Sequence, residues 1–299
     1  MSHFLVLVIG DNVHEALQPF HEYECTGIDD EYVKFVEAKE NIKEEFKKYQ
    51  KKCKESNKDC LYDNIDDFTK EWLGYYKNDE GKWGRKTNPN AKWDWWQLGG
   101  RWSGDYFIIK HGAVGGVIGT SGAFGNTTGI DSIKLKYIDW EAMRKRGENK
   151  AKEYWEKIEA AFDGVIPQPK ITWDELIDDK NEKWKDININ EKRELYFGQP
   201  ELKLLDEIKN KEEHKDTFGF FFNLEDFACG KEQYIHNAGE NAMSTFAIVH
   251  NGKWYEKGKM GWWGITTNET DDEKWNVEFS TIIAQCDEDE LVSFVDCHI

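Results

Sequence analysis

The chain has 299 residues and carries 58 acidic against 40 basic side chains, a formal charge of −18. Such an excess excludes nucleic-acid binding through a general basic face and adsorption to an anionic membrane. The longest apolar run, Phe4 to Ile9, is far short of the roughly 20 residues that span a bilayer, and no secretory leader pattern opens the chain.

The composition is 39% hydrophobic and 33% charged, a balance that leans toward disorder. Against this stand 14 Trp, 12 Tyr and 17 Phe, which supply a core of few, large side chains. Six cysteines occur with no C-x-x-C pair, so they read as reduced thiols. No metal site or cofactor signature is expected.

Phe4-Leu-Val-Leu-Val-Ile9 predicts a buried strand ended by Gly10-Asp11-Asn12. Asp29-Asp30 suits the cap of a charged helix over 30–56, followed by a short helix over 65–76 and a turn-rich loop over 78–90. Segments 93–102 and 105–110 read as strands joined at Gly99-Gly100, and 111–130 as a glycine-rich loop. Asp139 caps a second long helix to Phe162, ended by Pro167 and Pro169. The charged stretch 171–216 has little apolar periodicity and predicts a helical arm, after which 218–227 restarts an aromatic core. Thr245 to Val249, Asn251-Gly252 and Lys253-Trp254-Tyr255 predict a hairpin with a type I′ turn. A helix over 271–285 and a strand over 291–295 complete the chain.

The resulting expectation is an α+β protein. Its mixed sheet is formed by N-terminal, central and C-terminal segments with long helices. Residues 1–139 and 236–299 form the core, and 140–235 a largely helical insertion.

Lys92-Trp93-Asp94-Trp95-Trp96-Gln97-Leu98-Gly99-Gly100-Arg101-Trp102 is the most unusual stretch. On a strand, Trp93 and Trp95 share one face while Asp94 and Trp96 share the other. Two readings stand: a Trp-rich core strand, or a recognition surface in which Arg101 pairs a carboxylate or stacks on indole. Trp93, Trp95, Trp96, Arg101, Trp102, Trp262 and Trp263 are therefore the candidate partner- or ligand-binding residues, the last two from Gly261-Trp262-Trp263-Gly264. The glycines of 112–129 lack both the Walker and the G-x-G-x-x-G spacing. Asp296-Cys297-His298 invites a cysteine-nucleophile or metal reading, but neighbouring strand residues face opposite ways. His3 approaches this motif only if the two terminal strands are neighbours.

Four pieces together resemble a family of bacteriophage-encoded proteins. They are Met1-Ser2-His3-Phe4, Asn88-Pro89-Asn90-Ala91-Lys92-Trp93-Asp94-Trp95 through Trp102, Lys259-Met260-Gly261-Trp262-Trp263-Gly264, and Val295-Asp296-Cys297-His298-Ile299. In size and character the chain is also similar to phage inhibitors of the Gabija defence system. That resemblance implies a non-enzymatic, homo-oligomeric inhibitor in the host cytoplasm. It would bind a bacterial defence complex and block its access to DNA without touching nucleic acid or membrane. The alternatives are a binder of nucleotide immune signals, a cysteine-dependent enzyme and a structural virion protein.

Overall fold

The computed structural model describes residues 2–39, 41–56, 58–122, 129–178, 180–219, 222–261 and 264–299. Every residue from Phe4 to Ile9 is buried, so both phases of this strand are apolar and both of its faces must be covered. It accordingly lies inside a sheet. The N-terminal strand His3–Ile9 runs parallel to Ala247–His250 on one side and antiparallel to Leu291–His298 on the other. Lys253–Glu256 pairs with Ala247–His250 at one edge.

The C-terminal strand, Leu291–His298, is shared on its far side by two shorter strands in succession. Trp95–Gly100 pairs with its end, Val295 to His298, and Ile130–Lys134 with its start, Leu291 to Ser293. Val117–Ile118 and Thr120–Ser121 extend the sheet to eight strands of mixed direction. The fold class is α+β, with N-terminal, central and C-terminal segments building one sheet as the sequence predicts. The 251–252 turn is also as expected, with Asn251 at φ 51° and Gly252 at φ 70°, the left-handed pair a type I′ turn needs.

Period-two alternation sorts the central side chains. Phe4, Val6, Val8, Val295 and Cys297 face one way and pack with Leu17, Phe20, Trp93, Ala247 and Val249. Leu7 and Phe294 face the other, where Tyr106 and Phe107 meet the Phe294 ring edge-on. Each such fully buried aliphatic side chain contributes about 1.5–3 kcal/mol.

Gly99 and Gly100 do not join two strands, and 105–110 forms no strand beyond a single bridge of Ile109 to Ile138. The glycines instead wrap two buried carboxylates. A Cβ at Gly99 or Gly119 would overlap Asp131 Oδ2, and one at Gly100 would lie 2.5 Å from Asp296 Oδ2. Asp131 accepts from Ser103 Oγ and Gly104 N. Burial raises its carboxyl above the ordinary range, opposed by hydrogen bonds from Ser103, Gly104 and Gly119.

Further expectations need correction, among them the loop over 78–90, which holds the strand Trp83–Thr87. The 30–56 helix is a strand, Lys34–Glu37, followed by a shorter helix, Ile42–Glu55, capped by Asn41 rather than Asp29-Asp30. Phe35 and Val36, which scan as helical anchors, sit on that strand against Trp83–Thr87. Among its described residues the 218–227 segment forms no strand; Leu224–Phe227 is a single turn, and Phe218, Phe222 and Phe227 join a core as expected. The 171–216 stretch is not a featureless arm, because its helices Trp173–Ile177, Ile189–Phe197 and Pro200–Lys209 have their own core. Leu176, Tyr196, Leu202, Leu205 and Ile208 cluster there with Trp155, Ile158 and Phe227. Long charged side chains occupy the remaining faces, which hides the apolar stripe from a periodicity scan.

The chain divides into two compact units. The first comprises Met1–Ile138, Thr245–Asp271 and Cys286–Ile299, and the second Asp139–Ser244 and Asp272–Gln285. The second unit thus begins where the insertion is expected but runs on to residue 244 and also claims the helix Asp272–Ala284. Its long helix Trp140–Ala161 is capped by Asp139, whose side chain accepts from Ala142 N. That helix packs on Lys231–Asn241 at Gly147, where a Cβ would lie 2.6 Å from both Ala238 O and Ala242 Cβ. Gly147→Ala is therefore expected to cost about 1–3 kcal/mol in urea unfolding. Gly219→Ala, where a Cβ meets nothing within 4 Å, serves as the near-neutral control.

Candidate functional site

Ser2 and Ile299 exchange both backbone hydrogen bonds, at 3.2 and 3.1 Å. The next pair inward, His3 with His298, is then a non-hydrogen-bonded pair, the kind whose side chains approach most closely in an antiparallel ladder. Trp95 is opposite His298 on the other side, so His3, His298 and Trp95 form one cross-strand row. The two imidazole centroids are 5.0 Å apart at 72°, and His3 meets Trp95 edge-on at 6.0 Å.

Each imidazole is held by a carboxylate at the same nitrogen. His3 Nδ1 lies 2.7 Å from Asp296 Oδ1, and His298 Nδ1 lies 2.6 Å from Asp94 Oδ1. A carboxylate only accepts, so both Nδ1 atoms carry the proton and both Nε2 atoms are left as acceptors. His298 Nε2 is buried with no hydrogen-bond partner among the described residues. Asp296 is fully buried, and its second oxygen accepts from the backbone N–H of Arg101 at 3.1 Å. That bond explains Gly100, since any side chain there would displace the carboxylate. On the far side of Asp94, Glu22 and Cys25 bring their ligand atoms within 4.8 Å of its carboxylate. The Cys25 thiol is pushed up to about 11 by burial and by Glu22 beside it.

The four stretches that carry the phage resemblance converge here. Ser2 Oγ donates to Gly261 O at 2.8 Å and accepts from Gly264 N, which ties Gly261 and Gly264 to the paired termini.

The predicted binding residues fare differently from one another. Trp95 is 45% exposed and stands beside the histidines. Trp93 is buried in the core, its Nε1 donating to Leu17 O at 2.9 Å. Trp96 packs on the same core from the Cys297 face. Arg101 and Trp102 are half-buried in the turn after the strand, Arg101 fixed to Asp296 through its backbone. Trp262 and Trp263 lie outside the described residues. The residues the sequence reading passed over are Asp94 and Asp296 as histidine partners, and His3 paired with His298. Their signal was a histidine near each end of the chain, His3 two residues from Met1 and His298 one residue from Ile299.

Cys297 is fully buried, and burial, with Asp296 and Asp94 nearby, holds its thiol well above the ordinary value. It faces the apolar cluster, away from His298, as strand alternation requires, so it is no part of the paired-histidine row. Among the described residues, no helix is long and apolar enough to cross a membrane. No family model, curated protein or solved structure matches the chain.

Two outcomes are expected. In nitrogen-15 NMR both imidazoles adopt the Nδ1–H tautomer near neutral pH, and Asp94→Ala and Asp296→Ala each loosen that preference in the histidine they hold. Under native alkylation followed by mass spectrometry, exposed Cys25 and Cys229 are labelled while Cys297 reacts only on unfolding.

Proposed function

We propose that this protein binds and chemically processes a small nucleotide-like ligand, with His3 and His298 as paired proton carriers and Trp95 as the stacking surface for a planar base. The observation that carries this reading is the pair of carboxylate-held imidazoles 5.0 Å apart in one row with an exposed indole. A buried carboxylate costs stability, and an apolar residue in its place is often neutral or better. Asp296 is nonetheless fully buried, in a strand paired on both of its edges.

The division of labour follows from the geometry. One Nε2 takes a proton from an attacking water or hydroxyl while the other imidazole, entering protonated, gives one to the leaving group. The carboxylates fix the tautomer and stabilise whichever ring is charged. After one turnover the two rings have exchanged protonation states, and solvent resets them. In the phage setting that the sequence suggests, the natural ligand class is a nucleotide immune signal.

A second reading is the direct inhibitor of a bacterial immune complex, of which a Gabija-type nuclease is the leading example. The formal charge of −18 favours it, since a DNA-handling enzyme offers a basic path to an acidic protein.

The test is a panel of linear and cyclic nucleotides, read by calorimetry and product chromatography. At least one is expected to be bound and converted. His3→Gln and His298→Gln should each lower turnover by roughly 10²–10⁴-fold with the fold retained, and Trp95→Ala should raise KM. Absence of binding and conversion across the panel overturns the proposal. A His3/His298 double variant that still restores phage infection and still co-purifies with the defence complex favours the inhibitor instead.

A further inference from the structure

The opposite end of the same sheet carries a second cluster. His250 ends the strand beside the N-terminal strand, in register with Ile9. Cys286 and Glu290 lie in the short connection that leads into the C-terminal strand at Leu291. The chain thus delivers a sulfur, an imidazole and a carboxylate to one place from two segments. Cys286 Sγ is 3.9 Å from His250 Nε2, and His250 Nε2 is 3.6 Å from Glu290 Oε1. One ligand atom from each of the three residues falls within 4.8 Å of the others, and all three side chains are half-buried.

We propose that His250, Cys286 and Glu290 form a binding site for a zinc-class divalent transition ion, with a fourth position open to water or to an incoming ligand. On tetrahedral zinc, with bonds of about 2.3 Å to sulfur and about 2.0–2.1 Å to nitrogen and oxygen, the sulfur–nitrogen separation is about 3.6 Å and the nitrogen–oxygen separation about 3.3 Å. The observed spacings are a few tenths of an ångström wider, a difference that small side-chain rotations close. The mixed thiolate, imidazole and carboxylate set suits zinc or cobalt and not calcium or magnesium, which take oxygen alone.

The carboxylate is already aimed. Glu290 Oε2 accepts from Asp287 N at 2.8 Å, which leaves Oε1 toward the imidazole. Such second contacts orient ligands in metal sites. Bound metal would pin the hairpin that follows His250 to the entry of the C-terminal strand.

The experiment is cobalt titration of the intact, reduced chain, followed by displacement with zinc. One equivalent of cobalt is expected to give a thiolate-to-cobalt charge-transfer band that is lost in Cys286→Ser and kept in Cys25→Ser. His250→Gln and Glu290→Gln should each weaken zinc at least about tenfold. Glu290→Gln, at a partly solvent-facing position, guards against a variant that fails to fold. A wild-type spectrum without the thiolate band, or a band that survives Cys286→Ser or vanishes in Cys25→Ser, overturns the site.

Discussion

The antiparallel pairing of the two ends of the chain is the interaction on which the first unit depends. Seven consecutive residue pairs join His3–Ile9 to Val292–His298. Closing a loop that long carries an entropic cost, but the cost grows only with the logarithm of loop length. The burial of Val6, Leu7, Val8, Val292, Phe294 and Val295 on both faces of the two strands offsets it. Once the ends are paired, every other strand of the main sheet is placed relative to them. The parallel partner docks on the N-terminal strand, and the tryptophan strand and Ile130–Lys134 divide the outer edge of the C-terminal one.

The same pairing gathers titratable side chains at both of its ends. At the termini it sets two histidines side by side, because the register makes His3 and His298 a close, non-hydrogen-bonded pair. At the other end it brings the loop before Leu291 beside the end of the Ala247–His250 strand. A one-residue slip of register would turn His3 and Asp296 into the apolar layer and expose Phe4 and Cys297. With both faces apolar, it is the strand register that decides which polar groups meet. The close-packed glycines serve the same end. Gly99, Gly100 and Gly119 are small so that Asp131 and Asp296 can be buried with their partners.

Histidines elsewhere in the chain illustrate how context separates structure from chemistry. His21 is also fully buried and also contacts a carboxylate, Asp30, but both of its ring nitrogens are engaged, by Thr26 and Asp30. It is a satisfied core group that ties the first turns of the chain together. His298 differs in that its Nε2 is buried with no hydrogen-bond partner among the described residues. The second unit shows the complementary case, in which aromatic and aliphatic side chains on several short helices assemble a core with little polar content.

The sequence by itself determined the terminal strands, the Asn251-Gly252 hairpin, the long helix capped by Asp139 and the helix over 272–284. Each rests on local signals: an apolar run, a left-handed turn pair, a capping side chain and a 3.6-residue stripe. It also determined that Cys297 and His298 face apart, since that follows from a period of two. Only the tertiary structure decided that Lys34–Glu37 is a strand, because Trp83–Thr87 across from it supplies the pairing that outweighs a helical spacing of charges. Only it decided which tryptophans are core: the strand begins at Trp95, so Trp93, expected on the face of Trp95, is instead buried in the cluster on which Trp96 packs. The carboxylate-held histidine pair was beyond reach for the same reason. Its four side chains come from positions 3, 94, 296 and 298, and nothing short of the strand register brings them within hydrogen-bond range.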